Sequence, residues 1–361
     1  MSDDYRAQAD ALDARIRTAI AAYALDDAAF DALACAVFAH QFRWNAPYAA
    51  YARSLGISEQ SLPHTATAIP AVPAAAFKDA AFSTSAPERA ALWFETSGTT
   101  QARSGRHYLE TPALYEAALL AGFDRAMLAD GAQLRYLMLV PDPRARPHSS
   151  LGYMMATVAR ERGDGYDGWY LHDDVLDVAR LCSDVDRAGS AALCIATTAF
   201  ALLALLDELD ASGRKLPLPA GSRVMETGGF KGRTRVVGRD ELYARSAAAF
   251  AIDESAIVAE YGMTELSSQY YDSPGSRWSA RRIKQPVPWL RPLVVDVMGK
   301  PLPDGIVGAI RHIDCANRSS VVAIETEDLG AITPEGLLLL GREEGAALRG
   351  CSLDAEDLLR R

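Results

Sequence analysis

Cysteine, positive charge and long apolar runs are all scarce in this sequence, and each shortage removes a class of protein. Five cysteines (Cys35, Cys182, Cys194, Cys315, Cys351) stand at wide, irregular spacings in 361 residues. An odd number so scattered fits neither a disulfide framework nor a zinc cluster, so free thiols are expected. The longest uncharged run, residues 188–206, contains Gly189 and Ser190 and falls short of the ~20 apolar residues that span a bilayer. Its Thr197-Thr198 break suits a strand followed by a helix, and no membrane span is expected. With Lys+Arg 37 against Asp+Glu 47 and a formal charge of -10, there is no basic field for a polyanion, which argues against nucleic acid. The start, Met1-Ser2-Asp3-Asp4-Tyr5, lacks the basic residues and apolar stretch of a secretion signal, so a cytoplasmic location is expected. No Walker loop or serine-hydrolase elbow occurs. Residues 163–168 match a dinucleotide fingerprint in letters, but they follow a helical pattern rather than a strand, which discards them.

What is present is a globular pattern, 49% hydrophobic and long enough to bury one large core or two ordinary ones. Residues 7–56 read as helices, with Leu12, Ile16, Ile20 and then Phe30, Leu33, Val37, Phe38 at helical spacing, broken before Pro47. A proline-spaced connector (Pro63, Pro70, Pro73) leads to Phe77-Lys78, and Thr111-Pro112 opens a further helix. Apolar strands follow at 136–140, 193–196, 223–225 and 256–259, each ending in a polar or glycine-bearing turn and alternating with helical stretches. That alternation predicts an α/β fold with a mostly parallel sheet, flanking helices and ligands at the carboxyl ends of the strands. From Leu290 the texture changes to short β-rich pieces separated by glycine and proline turns, which predicts a small antiparallel sheet or barrel. The expected divisions are a helical segment at 1–75, an α/β core at 76–289, a β-rich subdomain at 290–341 and a tail at 342–361.

Three stretches carry candidate chemistry. After the apolar run 90–94, which reads as a further buried strand whose turn joins the others at the carboxyl ends of the sheet, residues 96–106 pack five hydroxyls and two glycines, with Arg103 and Arg106, into eleven positions. Ser97, Gly98, Thr99 and Thr100 offer N–H and hydroxyl donors to a phosphate, although alone the stretch is as readily a Ser/Thr/Gly turn. Glu260-Tyr261-Gly262-Met263-Thr264-Glu265 supplies a ring to stack on a base, a glycine for close approach, a hydroxyl, and a carboxylate (Glu265) able to hold Mg²⁺. The alternative is a strand-to-helix turn capped by Thr264. In 325–330, followed by Gly341-Arg342, a carboxylate such as Asp328 in a tight turn can accept ribose hydroxyls; an acidic surface hairpin is the alternative.

Together and in this order, the three resemble the phosphate-loop, adenine and ribose motifs of the adenylate-forming ligase superfamily. Within it the chain is similar to the acyl-protein synthetases, the ligase component of bioluminescence fatty acid reductase, with phenylacetate–CoA ligases as cousins. The likeness runs through Phe38-Ala39-His40-Gln41-Phe42, Asn45-Ala46-Pro47-Tyr48, His148-Ser149-Ser150, Gly228-Gly229-Phe230-Lys231-Gly232 and Pro288-Trp289-Leu290-Arg291-Pro292. It implies the large-domain fold of these ligases, with ATP and Mg²⁺ used to activate a carboxylic acid as an acyl-adenylate before transfer to a thiol. It also implies nucleotide contacts from Ser97 to Thr100, Gly228, Gly229, Tyr261 to Met263, Asp328 and Arg342, with Thr264 at the reacting centre.

Two departures from the family pattern stand out. Gln101 replaces a common glycine and no lysine follows, which points to Arg103 or Arg106 for the outer phosphates. Larger relatives carry the adenylation lysine in a mobile C-terminal domain, where this sequence has only the 342–361 tail, so Lys231 is the candidate replacement, against an ordinary surface lysine. Cys351 fits the acyl-carrying cysteine that the resemblance implies near the end of the chain, against a small buried hydrophobe. His148 stands beside the expected acyl pocket (Leu151, Tyr153, Phe200), though a lone histidine is more often structural. The cluster Arg277, Arg281, Arg282, Lys284 reads as a solvated face or a dock for an acidic carrier or an acyl reductase partner. Two alternatives remain: transfer to an amine, coenzyme A or carrier protein, or a non-catalytic adenylate-binding regulatory subunit.

Overall fold

The computed structural model describes residues 2–96, 104–228, 238–274 and 282–341. The chain folds into two compact units, one from residues up to Ala121, Met263–Gln269 and those from Gln285 on, the other from Gly122–Gly262 and Tyr270–Lys284.

In the first unit the expected helices are Asp3–Ala22, Asp27–Trp44 and Ala46–Ser54. Side-chain caps start them: Ser2 accepts from the Tyr5 amide and Asp26 from the Ala29 amide. Asn45 ends one helix and begins the next. Its extended backbone stops the second helix, and its side chain accepts from the Tyr48 amide at 3.2 Å, with Pro47 in the first turn of the third. Their buried faces are the periodic residues, Leu12, Ile16 and Ile20, then Phe30, Leu33, Val37 and Phe38. Arg318, itself buried, ties the first helix inward through Asp13 and Glu110, both at 2.7 Å.

The expected antiparallel sheet of this unit runs Leu290–Val295, Gly308–Asp314, Ala323–Thr333, Gly336–Gly341 in spatial order, with Val72–Pro73 parallel to the third strand. One local expectation is corrected. Thr326, Glu327 and Asp328 are not a turn between strands; they lie inside the eleven-residue Ala323–Thr333 strand. The register passes from Ala309 opposite Leu329 to Arg311 opposite Glu325, so these three residues bulge opposite Ile310. Thr326 satisfies the interrupted ladder, its hydroxyl donating to the Ile310 carbonyl (3.0 Å) and accepting from the Asp328 amide (3.2 Å).

A second difference concerns the strand that feeds the candidate phosphate loop. Leu92–Glu95 pairs antiparallel with Arg106–Leu109, forming a hairpin outside the parallel sheet. The ten-residue connection 96–105 is shorter than the dozen or more residues a parallel crossover needs. Its base is closed by the Thr96 amide on the Gly105 carbonyl (3.0 Å) and the Gly105 amide on the Thr96 hydroxyl (2.9 Å). A Cβ on Gly105 would meet the Phe77 backbone at 3.1 Å, which explains the glycine there.

The second unit is the expected parallel sheet. Ile257–Tyr261, Arg223–Thr227, Leu193–Thr198, Arg135–Leu139 and Asp167–Trp169 are parallel neighbours in that order. Tyr270–Asp272 adds antiparallel beside the first of them. Helices Ser150–Arg162, Val178–Arg187, Ala199–Ala211 and Arg239–Phe250 alternate with the strands. Ser149 caps the first of these helices and Thr198 the third, by accepting the Gly152 and Ala201 amides. Leu202, Leu205, Ile195, Val224, Tyr243 and Phe250 share one buried core. Among the described residues, four cysteines are free thiols, and no helix is long and apolar enough to cross a membrane.

Candidate functional site

In the second unit, parallel strands bring their carboxyl ends to one sheet edge, where open α/β sheets bind ligands. Thr227 pairs in register with Thr198 on one side and Glu260 on the other, so Gly228 and Tyr261-Gly262 leave that edge from neighbouring strands. Gly228 has φ +84°, a conformation that favours glycine, and among the described residues no atom beyond its chain neighbours lies within 4 Å of where a Cβ would stand. The half-buried Tyr261 ring lies 5.7 Å from the Tyr270 ring. His148 follows the Arg135–Leu139 strand and precedes the Ser149 cap.

Behind this edge sits a charged cluster. Glu260 is buried and accepts a hydrogen bond from the Thr227 hydroxyl; burial pushes its carboxyl up to about 7. Glu226, also buried, accepts from the Tyr243 hydroxyl at 2.8 Å, and burial raises it too, while its Oε1 finds no hydrogen-bond partner among the described residues. Asp272 pairs with Arg282 at 2.8 Å and Lys284 at 2.9 Å. Burial works against the Asp272 charge, but the Lys284 and Arg282 charges outweigh it and hold the carboxyl below its ordinary range. This corrects the solvated-face expectation for Arg282 and Lys284, both buried. Arg277 and Arg281 lie outside the described residues.

In the first unit, Met263, Thr264 and Glu265 begin the turn Met263–Gln269, closed by the Leu266 amide on the Met263 carbonyl at 3.1 Å. The Thr264 carbonyl lies 2.8 Å from Nδ1 of His107, a residue of the hairpin that carries the candidate phosphate loop. His107 is fully buried, which pushes it down to about 4. A neutral ring facing a carbonyl carries its hydrogen on Nδ1, so His107 donates. Asn317 donates to the Glu265 carbonyl at 2.8 Å, and Asp314 accepts the amides of Ser267 (3.0 Å) and Ser268 (2.9 Å). Asp328 lies in the bulge described above, and its charge opposes the burial that pushes His312 down to about 4.

No protein-family model matches the sequence, and no curated protein sequence matches it. Solved structures match in fold. The amide bond synthetase McbA from Marinactinospora thermotolerans is similar over 71% of this chain and 49% of its own, at 19% identity and a TM-score of 0.51. o-Succinylbenzoate CoA synthetase (MenE) from Bacillus subtilis, in complex with the acyl-adenylate intermediate OSB-AMP, is similar over 72% of this chain and 63% of its own, at 19% identity and a TM-score of 0.50. McyG A-PCP complexed with phenylalanyl-adenylate is similar over 72% and 48%, at 18% identity and a TM-score of 0.50. The chain therefore spans 48% to 63% of the length of these three.

The fold is that of the large domain of adenylate-forming ligases. Of the residues expected to form an adenylate-forming ligase site, Gly228, Tyr261 and Gly262 share one sheet edge, and Met263, Thr264 and Glu265 share one braced turn. Ser97, Gly98, Thr99, Thr100, Arg103, Gly229, Lys231, Arg342 and Cys351 lie outside the described residues. Sequence reading passed over His107, Asp314 and Asn317, because their partners are backbone atoms of a turn distant in sequence. Among the described residues no cluster of three or more His, Cys, Asp or Glu side chains is arranged to hold a metal.

Proposed function

We propose that this protein activates a carboxylic acid with ATP as an acyl-adenylate and then passes the acyl group to a thiol, its own Cys351 or one on a partner protein. The observation that carries the proposal is the segment 257–265. A strand at the carboxyl edge of a parallel sheet delivers Tyr261-Gly262, and the next residues form a turn whose backbone is held by buried side chains. A turn so held would keep Thr264 and Glu265 in place without reorganisation, as a charge-crowded reaction requires.

In the first step an oxygen of the substrate carboxylate attacks the α-phosphorus of ATP. The bond to the β-phosphate oxygen breaks, and pyrophosphate leaves with the electron pair. Tyr261 would stack on the base and Asp328 with Arg342 would accept and donate at the ribose. Ser97, Gly98, Thr99, Thr100 and Arg103 would hold the outer phosphates; Gly228 and Gly229 would allow the nucleotide to approach the backbone. Thr264 would donate to a phosphate oxygen at the reacting centre, and Lys231 would lie between the two anions. Mg²⁺, held by Glu265 and phosphate oxygens, would supply charge neutralisation.

In the second step a thiolate sulfur attacks the acyl carbonyl and AMP departs, leaving a thioester. Burial raises the thiols of Cys35 (to about 11), Cys182, Cys194 (to about 12) and Cys315, so none of these four is a ready nucleophile. That leaves Cys351 or a partner's thiol, with an acyl reductase or a carrier protein as the partner. His148 and the half-buried Leu151 and Tyr153 would border the acyl group.

The test is ATP–pyrophosphate exchange across a panel of fatty, aromatic and small acids. Carboxylate-dependent exchange is expected with one class, together with a hydroxylamine-sensitive adduct on Cys351 or on an added carrier. ATP binding without exchange for any acid overturns the proposal in favour of a regulatory nucleotide-binding subunit. AMP release that requires an amine or coenzyme A replaces only the thiol step.

A further inference from the structure

The resemblance to acyl-protein synthetases includes Gln41, Asn45 and Trp289, residues to which the adenylation chemistry gives no role. All three are fully buried and belong to one chain of hydrogen bonds within the first unit. From helix Asp27–Trp44, Gln41 donates to the carbonyls of Asn317 (2.8 Å) and Arg318 (3.1 Å) and accepts from the Val322 amide (2.9 Å). Asn45 donates to the Ser320 carbonyl at 2.9 Å. The connection between strands Gly308–Asp314 and Ala323–Thr333 is thereby fixed from the helix side.

That connection in turn grips the Met263–Gln269 turn. Asp314 accepts four hydrogen bonds, from the amides of Ser267, Ser268 and Ala316 and from the Ser268 hydroxyl (2.9 Å). Asn317 donates to the carbonyls of Glu265 (2.8 Å) and Val321 (3.0 Å) and accepts from the Ser267 hydroxyl (2.5 Å). Trp289 Nε1 donates to the Ser268 hydroxyl at 3.0 Å. Every one of these side chains is buried, so the network works in a low-dielectric interior where a missing partner is costly. Apolar residues of like volume could fill the same space. What they could not do is dictate the position of the Glu265 carbonyl and the Ser267 and Ser268 amides.

We propose that Gln41, Asp314 and Asn317 are positioning residues of the adenylation site: a polar relay from helix Asp27–Trp44 through residues 314–322 fixes the Thr264–Glu265 turn before substrates bind. The proposal rests on the adenylation reading of that turn. A displacement of about 1 Å at a reacting group can cost about a hundredfold in rate, so a relay that sets backbone position acts on turnover more than on affinity.

The test compares Asn317→Ala, Asp314→Asn and Gln41→Met with Leu202→Ala, a core variant of the second unit that serves as the control for lost stability. In pyrophosphate exchange the relay variants are expected to lose about tenfold to a hundredfold in rate, with the KM for the acid within about twofold. Leu202→Ala, measured well below its melting temperature, is expected to keep its rate. Hydrogen exchange of the free proteins supplies a second readout: the Ser267 and Ser268 amides lose protection in the relay variants, including Gln41→Met, which touches neither. Wild-type rate in folded relay variants, or unchanged protection at Ser267 and Ser268, overturns the proposal. Should the wild type show no exchange with any acid, the adenylation reading fails, and the amide protection still decides whether the relay reaches the turn. Should Asn317→Ala fail to fold, Gln41→Met carries both readouts.

Discussion

Two buried carboxylates, one in each unit, are both pushed up by burial, yet their partners hold different things in place. Asp314 in the first unit receives four donors, and burial lifts it to about 6. Glu260 in the second unit receives the Thr227 hydroxyl, and burial lifts it to about 7. Each stands about equally far above its ordinary value, so the contrast lies in what the partners fix: four donors tie Asp314 to the backbone of one turn, while Glu260 is held by the Thr227 hydroxyl and eased by the Lys284 charge, and burial brings it close to neutral pH. One group braces a turn. The other leaves a strand end sensitive to protons, beside Gly228 and Tyr261.

The sharpest way to break that comparison is Asp314→Ala, which strands three amides and a hydroxyl in the interior. A loss of about 3–5 kcal/mol in denaturant unfolding is expected; a loss under about 1 kcal/mol would mean that the four donors find other partners. Glu260→Gln probes the opposite member. An unfolded glutamate ionises near 4.5, whereas folded Glu260 keeps its proton to about 7, so the folded chain binds the extra proton between those values. Its contribution favours folding at low pH and is lost as pH rises through that window, on the order of 3 kcal/mol in all. The glutamine variant should flatten that part of the stability profile, and an unchanged slope would assign the titration to another group.

Gly228→Ala sharpens the comparison at the strand end itself. The φ of +84° makes any side chain strained, at about 1–2 kcal/mol, although among the described residues no atom beyond its chain neighbours would meet a Cβ there. ATP affinity should fall further than stability if the nucleotide approaches the backbone there, a difference that titration calorimetry against thermal unfolding would show. At the small end, Arg43→Ala breaks a pair with Asp4 in which both side chains are about half exposed, and it should change stability by less than about 0.5 kcal/mol. A larger change would mean that solvent-exposed charge matters here as much as buried polarity.

The helices of the first unit were legible because Leu12, Ile16, Ile20 and Phe30, Leu33, Val37 repeat at the helical period. The parallel strands were legible because each is a short apolar run ended by Thr, Gly or Pro. The Leu92–Glu95 strand misled through its similarity to those runs, since strand composition does not record the direction of the partner. Thr326 to Asp328 misled for a related reason: acidic residues and a hydroxyl are common in turns, and the bulge depends on Ile310 across the ladder. The cluster Arg282 and Lys284 looked solvated because charge is usually exposed, and only Asp272 brought to the same place permits its burial.

Local chemistry is written into neighbouring residues, so the sequence by itself determined the helices, the strand ends, the caps and the order of the motifs. Which backbone atoms Gln41, His107, Asp314 and Asn317 would hold was decided by the tertiary structure alone. A hydrogen bond needs two groups within about 3 Å in a fixed direction, and for partners dozens to hundreds of residues apart only the packed fold sets that distance.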